Sequence, residues 1–272
     1  MSIIRPATIA NDVFGEIRAL ALSAGHYFSK DAPEIRALAT TIDRLQKADA
    51  LPAFLSRAKL YMLCGDVDGA LGQLRKADAL GFDRFAIATR VVVLANLGLI
   101  SDAQKSVAIA ADPTGGYFSR YASLVVNTGA IRTFENLLCS AEKLQLEIDQ
   151  VFARKICDAA SILAEANISD SMIGKYLDVV GEIMRENRVF YLGESPDLFV
   201  WTKDEANRFI HFTFNLPFDS KTAERLDTDL ITRFVDRFGG LPEPLSITIK
   251  SGLSSDGRIS TRFSSTGQAA SQ

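Results

Sequence analysis

Histidine is nearly missing from this 272-residue chain: only His26 and His211 are present, and neither sits in an HxxxH or HExxH spacing. Imidazole is the commonest general base and a frequent metal ligand, so both chemistries begin with few candidates. Cysteine is also scarce. Cys64, Cys139 and Cys157 are odd in number, far apart and without a CxxC pair, which argues against a disulfide framework or a zinc-type ligand set. Three buried thiols in a reducing compartment are expected. No apolar run approaches the roughly eighteen residues of a membrane span; VVVLANLGLI (91–100) is the richest and too short. The N-terminus has no charged region followed by an apolar stretch and a small-residue cleavage site, so a cytoplasmic location and no membrane are expected. An excess of positive charge is absent too. Thirty basic residues stand against 33 acidic ones, for a net charge of −3, which speaks against nucleic-acid binding by phosphate neutralisation. GxxxxGK[ST], GxGxxG and GxSxG do not occur. No catalytic residue, metal or cofactor is therefore assigned.

What is present is a repeat. In FLSRAKLYMLCGDVDGALGQLRKADAL (54–80), Ala58 and Ala70 are small where two helices would cross, Tyr61, Leu74 and Ala77 fill the seam, and Gly65-Asp66 supplies the turn. A copy follows 33 residues on, with Gly98, Ala103, Val107 and Ala110 at the equivalent positions. A period in the low thirties is the signature of stacked helical hairpins. Hairpins are expected at 53–80, 84–111 and 115–144, the third with Gly129 at its turn, Phe134 at the small site and Ala141 at the later one. Before them, 11–25 carries the stripe Val13, Ile17, Leu20 and Ala24. A helix over 31–49 has Pro33 and Glu34 in its first turn, where neither costs a backbone donor and the acid suits the helix dipole. Two more helices are predicted at 148–165 and 170–187, the latter capped by Ser169 or Asp170.

The pattern changes near residue 189. VFYL (189–192), LFVW (198–201), RFIHFTFNL (208–216) and LSITI (245–249) read as strands, with a helix from Asp219 or Ser220 to Phe238, ended by Gly239-Gly240. Alternation puts Ile210, Phe212, Phe214 and Leu216 on an apolar face and His211, Thr213 and Asn215 on an open one, where only a docked partner would make them a recognition surface. Phe209 interrupts the polar face, and Trp201 is expected to anchor the sheet against the helices. The predicted fold class is α+β. An α-solenoid over 1–188 precedes a small ββαβ domain over 189–250, half of a ferredoxin-like sandwich in topology, and a flexible tail over 251–272. The edge strands at 198–201 and 245–249 leave a homo-oligomer open.

At residues 51–113 the chain resembles the tetratricopeptide repeat family, through Phe54, Ala58, Tyr61, Gly65-Asp66, Ala70, Leu74 and Ala77 in one repeat and Leu94, Gly98, Ala103 and Ala110 in the next. Phe82, where proline is frequent, and Phe134, where a small residue is usual, depart from the family pattern. The resemblance implies a protein-binding scaffold whose first helices line a concave groove. Transferred by position, that groove would present Leu55, Lys59 and Met62, then Thr89, Val92 and Asn96, then Arg120, Ser123 and Asn127. Asn96 and Asn127, each two residues before a turn glycine, would either cap their helices or bond an extended peptide backbone; capping is the favoured reading. The expected function is a non-enzymatic adaptor or regulatory subunit with a protein partner. The alternatives are a nucleic-acid-associated protein using His211, Thr213, Asn215, Lys250 and the tail, and an enzyme with a dispersed site where the two regions meet.

Overall fold

A computed structural model of the chain describes residues 6–81, 84–110, 124–125, 127–146, 148–190, 196–202 and 208–253. Its helices are α1 (Pro6–Ala24), α2 (Pro33–Ala48), α3 (Ala50–Leu63), α4 (Val67–Asp78), α5 (Arg84–Asn96), α6 (Ile100–Ala110), α7 (Ile131–Lys143), α8 (Gln150–Glu165), α9 (Asp170–Glu186) and α10 (Ser220–Phe238). Three strands, β1 (Asp197–Trp201), β2 (Phe209–Leu216) and β3 (Leu245–Ser251), form one sheet. The class is α+β, with helix predominating.

The helix ends follow their caps. Pro33 opens α2 at a position whose amide has no helical partner. Pro52 sits in the first turn of α3, which begins one residue after α2's C-cap. Asp66 accepts from the Gly69 amide and starts α4, and Lys30 pairs with that carboxylate at 2.7 Å. Asp149 and Ser169 cap α8 and α9 in the same way. Antiparallel neighbours then pack in order. α1 lies on α2 and α3, α3 on α4 and α5, and α5 on α6.

The helical hairpins end on a row of left-handed glycines. Gly25, Gly65, Gly98 and Gly129 all have φ of 66–67°, a conformation a Cβ makes costly. α9 and the segment after it run across this row. Ile173 and Leu177 meet Gly129, Gly181 meets Gly98, and Tyr27, which seats Gly65, donates its amide to the Arg188 carbonyl. Gly25 closes the series by accepting from the Phe190 amide. Eight residues separate Ile173 from Gly181, a rise of about 12 Å, the width of one helix with its side chains. One helix thus steps over one hairpin turn after another.

α9 also supplies what the turns lack. Asp178 accepts from the Ser101 amide and hydroxyl at the start of α6. Asp170 accepts from the Arg132 and Thr133 amides at 2.9 and 2.8 Å and from the Thr133 hydroxyl, capping α7, whose own N-cap residue, Ala130, has no side chain to do so. A carboxylate at a helix N-terminus satisfies free amides and suits the dipole. Arg185 donates to the Leu97 and Gly98 carbonyls at the end of α5.

In the sheet, β1 pairs antiparallel with β2, and β2 parallel with β3 through the α10 crossover. Leu198, Ile210, Phe212, Phe214, Leu216, Leu245, Ile247 and Ile249 are buried in the same apolar cluster as the helical residues. α10 covers β3, and α8 touches β1 and β2. Arg233 and Arg237 tie α10 to Glu182 and Glu186 of α9, and Tyr176 packs edge-on against Phe234 and Phe238. Val189, read as the start of a strand, forms only an isolated bridge with His26; residues 191–192 of that stretch, most of the proposed first helix of the third hairpin and most of the tail lie outside the described residues. Two thiols differ from expectation. Cys139 and Cys157 are exposed and only Cys64 is buried, because the stripes that bury α7 and α8 run through Phe134, Leu138 and Ala141, and through Ile156, Ala160 and Leu163.

Candidate functional site

The groove positions separate by burial. Leu55, Met62, Thr89 and Asn96 are buried and face neighbouring helices instead of an open surface. Asn96 donates to the Val92 carbonyl one turn earlier, so its amide serves its own helix. Asn127 is half-buried, and its Oδ1 is buried with no donor among the described residues. Arg120 and Ser123 lie outside the described residues. Val92 and Lys59 keep some exposure. The Lys59 ammonium lies 4.2 Å from the centroid of Phe14 and 5.6 Å from that of Phe85.

The open face of the sheet is the more elaborate surface. Register places Phe199 opposite His211 and Trp201 opposite Phe209, with His211 beside Ser246, Thr213 beside Thr248 and Asn215 beside Lys250. Because side chains alternate across a strand, all nine share one face with Asp197. Trp201, expected to anchor the sheet against the helices, is instead out in solvent. Leu198 and Val200 are the β1 residues that turn inward. Phe199, Trp201 and Phe209 are 47%, 36% and 37% exposed, and their centroids lie 6.0–6.3 Å apart. Scattered exposed apolar residues are ordinary, but contiguous ones mark interaction sites.

Beside the rings the face is polar and ordered. His211 Nδ1 is 2.9 Å from the Ser246 hydroxyl and Nε2 is 3.3 Å from that of Thr248. Burial, followed by the Lys250 charge, pushes its pKa below the ordinary histidine value against the pull of Asp227. Neutral imidazole has one donor and one acceptor nitrogen, and the two hydroxyls can satisfy both. Thr213 is buried within the face, and Asn215 donates to Asp197 at 3.0 Å. The face thus joins an aromatic end to a neutral hydrogen-bonding end, with Asp197 and Lys250 offsetting each other in charge. Among the described residues no three His, Cys, Asp or Glu side chains gather where they could hold a metal ion, and no helix is long and apolar enough to cross a membrane.

Sequence reasoning singled out His211, Thr213 and Asn215 and missed Phe199 and Trp201. The one available signal was Phe209, an aromatic among polar alternates. In LFVW every residue is apolar, so alternation could not say which pair faced out.

A second exposed apolar strip runs along α10, where Ile231 and Val235 are 54% and 56% exposed. Both residues are aliphatic and lie on a helix, whose interior backbone groups are already paired. A cavity of about 350 Å³ between α4, α5 and α6 is lined by Leu71, Ile87, Leu94 and Ser106, and its charged walls are already paired, Arg90 with Asp78 and Lys105 with Asp102. No protein-family model matches the chain, and no curated protein or solved structure matches it.

Proposed function

We propose that this chain is a non-enzymatic interaction module, an adaptor or regulatory subunit, and that it takes an extended protein segment along the β1 edge and open face of its sheet. In this reading the helices form a tetratricopeptide-like solenoid that carries a half-ferredoxin-like α/β unit, and the solenoid is support more than groove. The observation that carries it is the exposed cluster of Phe199, Trp201 and Phe209 beside an edge strand. An added strand satisfies the outward amides and carbonyls of β1 and brings its side chains onto that cluster. Aromatic residues are the usual energetic centres of interfaces. The near-neutral face favours a segment without strong charge.

The test is affinity for the protein that co-purifies with the tagged chain from its native host. Replacing Trp201 and Phe209 together by alanine leaves the core intact and is expected to weaken binding by about 100-fold or more, the sum of two anchors worth about 1.5–2 kcal/mol each. Unchanged affinity in the folded double variant overturns the proposal. Exposed rings on a sheet are also a stacking platform for single-stranded nucleic acid. Trp201 is the only tryptophan, so its emission reports directly: a shift on adding oligothymidylate that salt abolishes would favour that second reading.

A further inference from the structure

The outward positions of β1 read acid, ring, ring in Asp197, Phe199 and Trp201, with the inward Val200 midway between the two rings. Position 203, outside the described residues, is next at that spacing and is a lysine. The strand sequence is therefore matched to itself about Val200, ring for ring and acid for base. A two-fold dimer needs such a pattern, because one patch must complement its own copy.

We propose that the segment docking on the β1 edge is β1 of a second copy of this chain, antiparallel about a two-fold axis at Val200. The inference rests on the β1 edge being the docking surface and names its occupant. Residues opposite each other across a ladder share a face, and a slip by one residue turns every side chain over. Two copies thus keep their open faces on one side when a β1 residue stands on the axis. An axis at Phe199 or Trp201 opposes that ring to itself and leaves the other ring against Asp197 or position 203. An axis at Val200 sets Phe199 of each copy against Trp201 of the other, and half-buried Val200 against itself. It also sets Asp197 against the lysine position at both ends of the pairing.

The two sheets become one, and each strand satisfies the outward amides and carbonyls of the other. Phe199, Trp201 and Phe209 of both copies then form a single aromatic patch across the axis, while the two Asp197 carboxylates lie at opposite ends and do not meet. Two paired strands of five residues are small beside the roughly 1,200–2,000 Å² of a stable complex. A reversible dimer with a dissociation constant of about 10–100 μM is expected. Because the second copy covers the edge, it competes with any other protein segment that docks there.

The experiment is sedimentation velocity of the full chain over about 1–300 μM, a range that brackets the expected constant, with tryptophan emission recorded on the same samples. A monomer–dimer equilibrium is expected, with emission moving to the blue as the dimer covers Trp201, the only tryptophan. Asp197→Lys opposes like charges at both ends and weakens dimerisation about tenfold, as does Lys203→Asp. The two changes together reverse both pairs and restore dimerisation, which neither misfolding nor a general charge effect would do. If a single variant fails to fold, the emission of the parent chain on dilution decides. A chain monomeric throughout the range, a dimer that leaves Trp201 emission unchanged, or one indifferent to both single charge reversals overturns the proposal. A monomer whose affinity for the co-purifying protein still falls when Trp201 and Phe209 are replaced overturns the self-pairing alone. Unchanged affinity in that double variant counts against the docking surface itself.

Discussion

Gly181→Ala is expected to lower stability by about 2–4 kcal/mol, although alanine is the better helix former. On a free helix surface the change would gain about 1 kcal/mol. Here the new Cβ would stand 2.1 Å from the Gly98 carbonyl oxygen and 2.6 Å from its Cα. Those atoms are backbone, and Gly98 is held at φ +66° with its carbonyl bound by Arg185. Relief requires α9 to lift from the α5–α6 turn, which stretches the Asp178–Ser101 and Arg185–Gly98 bonds together. Overpacking of that kind outweighs helix propensity. Gly15→Ala in α1 is the control, because its Cβ meets nothing within 4 Å; it should be neutral or stabilise by up to about 1 kcal/mol. Urea unfolding followed by circular dichroism measures both. A Gly181→Ala protein as stable as the parent would mean that α9 does not seat on the turn as described.

The second large effect is at Asp170. Asp170→Ala removes the acceptor of two α7 amides and of the Thr133 hydroxyl, and Ala130 cannot replace it. Loss of a carboxylate cap typically costs about 1 kcal/mol, and the added bond between segments raises the expectation to about 2–3 kcal/mol. Asp170→Asn keeps one acceptor oxygen and should lose roughly half as much. Because Asp170 fastens α9 to α7, amide exchange in the Alanine variant should quicken in residues 131–143 and leave β2 unaffected. Uniform quickening across the chain would instead indicate only global destabilisation.

Much of the helical layout was legible. The period from Gly65 to Gly98 located two hairpins, and residue type narrowed two caps to Ser169 or Asp170 and to Asp219 or Ser220, of which Ser169 and Asp219 make the bonds. The second use of the turn glycines was not legible. Gly98 is seated by Gly181, and in sequence Gly181 resembles only a weak helix position. Asp170 read only as a candidate cap of its own helix and Asp178 as an ordinary helix acid, because the amides they satisfy belong to segments 37 and 77 residues away. The groove transferred by position met a physical limit of another kind. Positions such as Leu55 and Met62 are apolar, and helix-to-helix packing takes them inward. On the sheet, β2 alternates clearly, and its apolar face was legible at Ile210, Phe212, Phe214 and Leu216, whereas Thr213 on the other face is buried. β1 is apolar at four of its five positions, so its outward pair, Phe199 and Trp201, had no polar neighbours to mark it.

The most direct test of the β1 interaction surface is hydrogen–deuterium exchange of the full chain with and without the co-purifying partner. Strand addition protects backbone amides in residues 197–201 that have no partner among the described residues, with weaker protection across 209–215. Protection confined to α3 and α5, or to the Ile231–Val235 flank of α10, with β1 exchanging unchanged, would contradict it.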